Sequence, residues 1–312
     1  MLRRTLGKIL TLRALAAVCV LALLGASCSG GIGGCAGGVP SPFASKDGRP
    51  ARIVSLTPSV TEILDGVGAF DRVVAVSDYC TYPPGVTRLP RVGGWTNPNL
   101  ERIASLRPDL VVYWGSQAQF VDDKLKALGI KTLSVPSRSL ADAFAAIEQI
   151  GRATGNEEQA RRLVEQTRAE IEEVRGRTSG LPRRSVLCVV DRMPGTLRDI
   201  YTAAEGSFLA ELIEAAGGRP VSPPASTGWG KLQKEAVVSI DPDVIIDLMM
   251  QKPEGQLAED TLAVWGEMPA LRAVREGRVH PVRDETVLHP SQFVATTARK
   301  FAEIIHPEAF GK

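Results

Sequence analysis

The sequence GWTNPNLERIASLRPDLVV, residues 94–112, returns in the second half of the chain as GWGKLQKEAVVSIDPDVII, residues 228–246. The two stretches align without a gap, at a constant offset of 134 positions from residue 94 to residue 228. Trp95 aligns with Trp229, and in both copies a Pro-Asp dipeptide precedes a run of apolar residues. Self-similarity at a fixed spacing indicates a repeated structural unit. The chain is therefore predicted to contain two related halves.

Short apolar runs alternate with helical patterns in each half, which favours an α/β fold with mainly parallel sheets covered on both faces. In the first half the predicted strands are residues 52–56, 72–77, 109–114 and 130–135, and the predicted helices are residues 58–66, 99–107 and 119–128. In the second half the predicted strands are residues 185–190, 243–248 and 278–282, and the predicted helices are residues 208–216 and 294–305.

Residues 139–179 differ, because they show a helical pattern with one interruption at Gly155-Asn156. The piece after the interruption would span roughly 30 Å at about 1.5 Å per residue. A single long helix of this kind would join two sheet-forming lobes. The predicted organisation is an N-terminal lobe of residues 52–155, a connecting helix of residues 156–179 and a C-terminal lobe of residues 180–312.

The N-terminus has the layout of an export signal, with early positive charge, an apolar run near residues 14–24 and then small residues. The residues before Cys28 resemble the lipobox of bacterial lipoproteins, although Gly25 stands where a branched apolar residue is usual. Residues 1–27 are therefore predicted to be a lipoprotein signal peptide and Cys28 the lipidated residue. A second candidate is Cys35, and a plain cleaved signal is the alternative.

Residues 28–51 are rich in Gly, Ser and Pro, a composition typical of a flexible tether. A lipid anchor followed by such a tether would hold the folded lobes near a membrane without burying them. The expected location is the periplasm or the outer face of the cytoplasmic membrane.

Composition argues against several classes of function. The net charge is +2 and charges of both signs are mixed, so no surface for nucleic acid is expected. Neither a G-x-G-x-x-G motif nor a P-loop follows a predicted strand, which argues against a nucleotide-binding enzyme. Beyond the tether the sequence has two cysteines, Cys80 and Cys188, and three histidines, so a metal-dependent enzyme is a distant alternative. These cysteines could pair in a disulfide, or Cys188 could be buried and inert.

The repeat gives its tryptophans and glutamates a second interpretation. Taken singly, Trp95 could fill a core and Glu101 could offset the partial positive charge of a helix N-terminus. If two related lobes present the same loop and face each other, Trp95 and Trp229 line opposite walls of one cleft. Glu101 and Glu235, each six residues beyond its tryptophan, would then form a matched pair on the rim.

This region resembles a known family, the substrate-binding proteins of ABC importers for vitamin B12, siderophores and haem. The matching segments are SDYCTYPP at residues 77–84, Trp95, NLERI at 99–103 and RPDLV at 107–111. The resemblance extends over residues 52–312 and is greatest to the corrinoid-binding members. It implies two α/β lobes joined by one long helix, in a monomer that captures a corrinoid outside the cytoplasm. The ligand would pass to a permease dimer with its ATPase subunits, without catalysis and without a cofactor.

The resemblance also implies roles for individual residues. Tyr79, Trp95 and Trp229 would pack on the corrinoid, whose large and partly apolar surface suits flat aromatic contacts. Asp284 in the last loop would contact the ligand as well. The two glutamates Glu101 and Glu235 would each meet an arginine on one permease subunit. This gives a physical reason for the repeat, because a two-fold permease needs one acidic contact from each lobe.

The last loop departs from the family pattern. The arginine expected shortly after Asp284 is missing, and Leu288 and His289 stand in its place. His289 is predicted to contact the ligand. Metal ligation by His289, or by Cys80 as a soft ligand, is an open alternative, but no metal site is predicted.

Haem or an iron-siderophore is the alternative ligand within the same importer class. An anionic siderophore would require clustered cations in the loops that line the cleft. The cations of those loops, Arg91, Lys231 and Arg283, are scattered, so a corrinoid is favoured.

Overall fold

The computed structural model describes residues 48–222, 228–248 and 260–311. The predicted signal peptide, Cys28, Cys35 and all but the end of the predicted tether lie outside these residues. Within the described part, no helix combines the length and the apolar character that crossing a membrane requires.

Strands and helices alternate along the chain, as the apolar pattern predicts. The strands are β1 (Ile53–Ser55), β2 (Val73–Val76), β3 (Leu110–Trp114), β4 (Thr132–Val135), β5 (Ser185–Asp191), β6 (Ile200–Ala203), β7 (Arg219–Pro220), β8 (Trp229–Leu232), β9 (Val244–Leu248) and β10 (Val279–Val282). The helices are α1 (Pro58–Gly66), α2 (Leu100–Ser105), α3 (Ala118–Ala127), α4 (Leu140–Thr154), α5 (Glu157–Thr178), α6 (Phe208–Ala215), α7 (Lys234–Ile240), α8 (Thr261–Gly266), α9 (Arg272–Arg275) and α10 (Val294–Ile305).

The first lobe is built on a four-stranded sheet in the order β2-β1-β3-β4, in which all neighbouring strands are parallel. The central strands β1 and β3 are buried, apart from the last residue of β3, Trp114. Both faces of these strands are apolar because helices cover both faces of a parallel sheet. The carboxyl ends of the strands lie along one edge, and Trp114 stands at that edge.

The second lobe contains a six-stranded mixed sheet. Its path runs β10-β9-β5-β6-β8, and β7 also pairs with β5. Strands β5, β9 and β10 are parallel, whereas β6 is antiparallel to both of its neighbours. The prediction of two α/β lobes is confirmed, but β6, β7 and β8 are not predicted from the sequence. Their sequences, IYTA, RP and WGKL, do not form the run of branched apolar residues that marks a buried strand.

The sequence repeat corresponds to a structural repeat. Strands β3 and β9 occupy equivalent positions of the two copies, and helices α2 and α7 begin at the equivalent residues Leu100 and Lys234. After each helix a non-glycine residue is left-handed, with φ of 48° at Arg107 and 41° at Asp241. Such a residue ends a helix and turns the chain sharply. Both copies therefore enter the following strand by the same turn.

The aspartate that follows this turn has the same task in both lobes. Asp109 accepts hydrogen bonds from the backbone N–H groups of Ala51 at 2.7 Å and Arg52 at 3.0 Å, beside the start of β1. Asp243 accepts from the N–H and the hydroxyl of Ser185, at 2.8 and 2.7 Å, at the start of β5. A carboxylate is a strong acceptor for such donors. Each aspartate therefore ties its own strand to the neighbouring central strand.

Helix α5, with 22 residues, is the long helix that the sequence predicts. Its buried residues recur at spacings of three and four and are Ala160, Val164, Thr167, Ile171, Val174 and Thr178. This stripe packs against α4 and α10, and one apolar cluster includes Ile147 of α4, Ile171 of α5 and Phe301 of α10. The helix thus shares a core with elements of both lobes.

Candidate functional site

Trp95 lies partly buried in the turn before α2, against a second tryptophan. Its ring meets Trp114 edge to face, with 5.2 Å between ring centroids and 72° between planes. The Trp114 indole Nε1 donates to Ser59 Oγ at 2.6 Å, and Gln117 Nε2 donates to the Trp95 carbonyl at 3.1 Å. Trp114 is a candidate ligand contact that the sequence analysis missed. Its signal is an aromatic residue at the carboxyl end of a buried strand, the edge at which α/β sheets bind ligands.

Tyr79 follows β2 in a turn and is 60% exposed. This turn is tied to the one before Trp95, because the Asp78 N–H donates to the Gly93 carbonyl at 3.1 Å and the Gly93 N–H donates to Asp78 Oδ1 at 3.2 Å. A Cβ added at Gly94 would lie 3.4 Å from the Tyr79 hydroxyl. The structure therefore brings Tyr79 beside the residue that precedes Trp95.

Trp229 is the first residue of strand β8, whereas the sequence analysis predicts it in a loop. It is 39% exposed and shares one face of the β6–β8 ladder with Tyr201 and Lys231, because Tyr201 pairs with Lys231 and Ala203 with Trp229. The Lys231 Nζ lies 5.6 Å from the centre of the Tyr201 ring and 2.6 Å from Asp199 Oδ1. Tyr201, also 39% exposed, is a second aromatic candidate. The sequence analysis missed it because β6 is not predicted.

Asp284 is exposed and makes several hydrogen bonds. Its Oδ1 accepts from the Thr286 N–H at 3.1 Å and from the Thr286 hydroxyl at 2.6 Å, and its Oδ2 accepts from Lys300 Nζ. Burial raises the pKa of the Asp284 carboxyl, but these donors outweigh it and leave the pKa below its usual value. Asp284 is therefore an anchored carboxylate that accepts from Lys300 and Thr286 of its own lobe.

His289 is largely covered, and its Nδ1 lies 2.6 Å from Oε1 of Glu62 on helix α1. The other oxygen, Glu62 Oε2, accepts from the Ser291 hydroxyl at 2.6 Å. In the structure His289, which the sequence analysis predicts to touch the ligand, therefore joins the two lobes. Glu62 was missed, because a glutamate on a helix gives no sequence signal for a partner more than two hundred residues away.

The thiols of the folded lobes are free and buried. Cys80 Sγ lies 3.1 Å from Thr61 Oγ1 and 3.2 Å from Ser77 Oγ, and burial raises the pKa of the Cys80 thiol. Burial also raises the pKa of the Cys188 thiol. The disulfide alternative is therefore wrong, and a buried, protonated Cys80 is a poor metal ligand. Across the described residues no group of three or more His, Cys, Asp or Glu side chains is placed to hold a metal ion.

The two repeated glutamates have equivalent positions. Glu101 and Glu235 are the second residues of α2 and α7, and both are exposed. In the described part of the chain neither carboxylate has a hydrogen bond or an ion pair with another residue. Both can offset the partial positive charge of a helix N-terminus, and both remain available to a partner.

Known proteins resemble this chain in sequence and in architecture. An uncharacterized ABC transporter substrate-binding lipoprotein of Bacillus subtilis, YvrC, is 31% identical over 269 residues, which cover 84% of this chain and 82% of the relative. A vitamin B12-binding protein of Yersinia pestis is 30% identical over 197 residues, which cover 62% of this chain and 68% of the relative. A solved structure of a possible iron-binding, periplasmic solute-binding protein of Staphylococcus epidermidis superimposes with a TM-score of 0.69 at 26% identity, covering 83% of this chain and 99% of that one. Residues 53–285 match the periplasmic binding protein model, and the chain therefore belongs to this family, the substrate-binding proteins of ABC transporters.

Proposed function

We propose that this protein captures vitamin B12 or a related corrinoid outside the cytoplasm and delivers it to an ABC importer. The observation that carries the proposal is an aromatic surface on each lobe. Its members are Tyr79, Trp95 and Trp114 in the first lobe and Tyr201 and Trp229 in the second. Aromatic rings bury a large area against a macrocycle and suit its flat faces. The relative named for vitamin B12 supports the same ligand class.

Haem or an iron-siderophore is the competing ligand, and the neighbour described as iron-binding supports it. Anionic ligands require cations that are available in the site. Arg91 donates to the carbonyls of Ser77 and Cys80, at 2.9 and 2.6 Å, and Lys231 pairs with Asp199 at 2.6 Å. Arg91 and Lys231 thus interact with protein acceptors, and the third cation of these loops, Arg283, is exposed. An anionic siderophore would meet one available cation of the three rather than a cluster, which favours the corrinoid.

The proposal is tested by titrating the purified protein with cyanocobalamin, cobinamide, haem and a ferric siderophore. Calorimetry measures binding, and tryptophan fluorescence is corrected with a non-binding dye of matched absorbance. We expect corrinoids to bind and to quench the fluorescence. If no corrinoid gives heat or quenching while haem or the siderophore binds, the competing ligand replaces the corrinoid.

A pair of variants locates the binding surface. Trp229→Ala should weaken corrinoid binding about 30-fold, because truncating a central aromatic contact commonly costs about 2 kcal/mol. The matched control is Trp265→Phe, since Trp265 is fully buried in the second lobe. This control should lower stability and leave the affinity nearly unchanged. Equal losses of affinity in both variants would contradict a ligand surface at Trp229.

Delivery requires contacts outside the ligand site. We propose that Glu101 and Glu235 dock on arginines of the two permease subunits, whose ATPase subunits drive import. We further propose that Cys28 carries a lipid that anchors a monomeric protein at the outer face of the cytoplasmic membrane. No step in this function is catalytic, and neither a cofactor nor nucleic acid is involved.

A further inference from the structure

Glu62 is a buried carboxylate whose hydrogen bonds cross from one lobe to the other. It lies on α1 and is 1% exposed. Its Oε1 lies 2.6 Å from His289 Nδ1, and its Oε2 accepts from the Ser291 hydroxyl at 2.6 Å. Its backbone carbonyl accepts from Gln292 Nε2 at 2.9 Å. All three partners belong to residues 289–293, the segment just before α10.

A carboxylate is rarely buried without such partners, because moving a charge out of water is costly unless donors compensate it. Hydrogen bonds to a charged acceptor are short and strong, and the two carboxylate contacts of Glu62 are at 2.6 Å. Tyr82 and Phe293 extend the same contact, with ring centroids 5.1 Å apart in an edge-to-face arrangement. The 289–293 segment therefore has one strongly preferred position on the first lobe.

The same helix also touches the aromatic surface of the first lobe. Ser59, one turn before Glu62 on α1, accepts from the Trp114 indole, and Trp114 packs on Trp95. One helical turn thus connects Trp114 with the 289–293 segment of the second lobe. The position of His289 relative to Trp95 is set through α1.

We propose that Glu62 is a positioning residue of the binding site: it fixes the 289–293 segment on α1 and so keeps the two lobes in the ligand-competent arrangement before the ligand arrives. This rests on the proposed function. When only a fraction of the molecules is competent to bind, the apparent dissociation constant rises in inverse proportion to that fraction. Loss of Glu62 should lower the population of the fixed arrangement, and the apparent dissociation constant should rise by the same factor.

The test compares Glu62→Ala and Glu62→Gln with wild type by hydrogen–deuterium exchange and by cyanocobalamin titration. In Glu62→Ala we expect the amides of the 289–293 segment to exchange about tenfold to a hundredfold faster without ligand, since a buried network loses its acceptor. The dissociation constant should rise by a similar factor, and bound cyanocobalamin should restore the protection. Glu62→Gln keeps the shape and one acceptor oxygen, so its effects should be smaller in both measurements.

A second carboxylate that joins the lobes provides the matched control. Glu211 Oε2 on α6 accepts from the Leu140 N–H at 2.8 Å, and Glu211→Ala should leave exchange in the 289–293 segment unchanged. If Glu62→Ala does not fold, Ser291→Ala removes one donor and should change both measurements in the same direction. That variant would overturn the proposal if neither measurement moved.

Two further results separate this inference from the proposed function. If wild type binds no corrinoid, the proposed ligand is wrong, and the exchange comparison without ligand decides alone whether Glu62 fixes the segment. If Glu62→Ala speeds exchange but binds cyanocobalamin as tightly as wild type, Glu62 is structural only and the positioning role is refuted. Faster exchange together with a rise of the dissociation constant by a similar factor supports the positioning role.

Discussion

The repeat contains two kinds of carboxylate, and replacing each kind should separate folding from delivery. Asp109 and Asp243 each accept hydrogen bonds from residues at the start of a central strand. Glu101 and Glu235 are exposed on the first turns of α2 and α7. Alanine at either aspartate should lower the free energy of unfolding, whereas alanine at both glutamates should stop delivery with little change in stability.

The expected magnitudes follow from the contacts. Asp243 accepts from the N–H and hydroxyl of Ser185 and from Arg272 Nη1, the last at 2.6 Å. A hydrogen bond to a charged group contributes about 1.5–3 kcal/mol, and water replaces part of it at a strand end, so Asp243→Ala should lose about 2–4 kcal/mol. Asp109→Ala, with two backbone donors, should lose slightly less. An exposed acidic residue in a first helical turn contributes at most about 1 kcal/mol, so each glutamate variant should lose no more than that.

The pH dependence provides a check on Asp243. Burial raises the pKa of its carboxyl, but the donors on Ser185 and Arg272 outweigh burial and leave the pKa below its usual value. A carboxyl whose pKa is lower in the folded than in the unfolded state stabilises the fold above its unfolded pKa, about 3.9 for aspartate. This contribution is lost as the pH falls through the folded pKa. The stability difference between wild type and Asp243→Ala should therefore shrink in strong acid.

Urea unfolding at neutral pH measures the stabilities, with an unchanged m-value as the sign that the unfolded states are comparable. Uptake of corrinoid by vesicles that contain the importer measures delivery. Glu101→Gln combined with Glu235→Gln removes charge at nearly constant shape and should stop uptake as well. The reasoning is refuted if the double alanine variant loses about tenfold or more in corrinoid affinity, because the glutamates would then belong to the ligand site. It is also refuted if either aspartate variant is as stable as wild type.

Three other changes test separate parts of the structure. Cys28→Ser should move the protein from the membrane fraction to the soluble fraction in cell fractionation, and continued retention would point to another anchor. Asp247→Ala removes the acceptor of Arg192 Nε and of the Trp265 indole, so thermal unfolding should show a loss of about 3–5 kcal/mol, as for other broken buried ion pairs. Burial and the hydrogen bond to Asp122 raise the pKa of Tyr113 to about 12. The stability that the neutral phenol contributes is therefore present below about pH 10, the usual pKa of tyrosine, and is lost as the pH rises from there to about 12. Tyr113→Phe should remove that alkaline loss in unfolding experiments.

The fold could be predicted largely from local pattern, whereas parts of the site could not. Long elements repeat their apolar period several times, so α5 and the buried strand β3 are visible in the sequence. The strand Ile200–Ala203, IYTA, does not form a run of branched apolar residues, so the strand and its exposed Tyr201 were missed. The contact between Glu62 and His289 joins residues far apart in the chain. Periodicity describes neighbours along the chain, so it gives no information about that pairing.

On the proposed function, the repeat explains how one fold can meet a two-fold partner and a ligand at once. Where both copies keep a residue together with its hydrogen bonds, as at Asp109 and Asp243, folding accounts for the repetition. Each repeated glutamate has no hydrogen bond within the described structure and contributes at most about 1 kcal/mol at its helix N-terminus. On the proposed function, docking on a two-fold permease is the stronger reason for their repetition. Trp95 and Trp229 form a third case, because the residue is repeated while its backbone changes from a turn to the start of β8. The two faces of a corrinoid differ, and the two lobes present the same ring from different backbones. On the proposed function, the lobes therefore match where they meet the permease and differ where they meet the ligand.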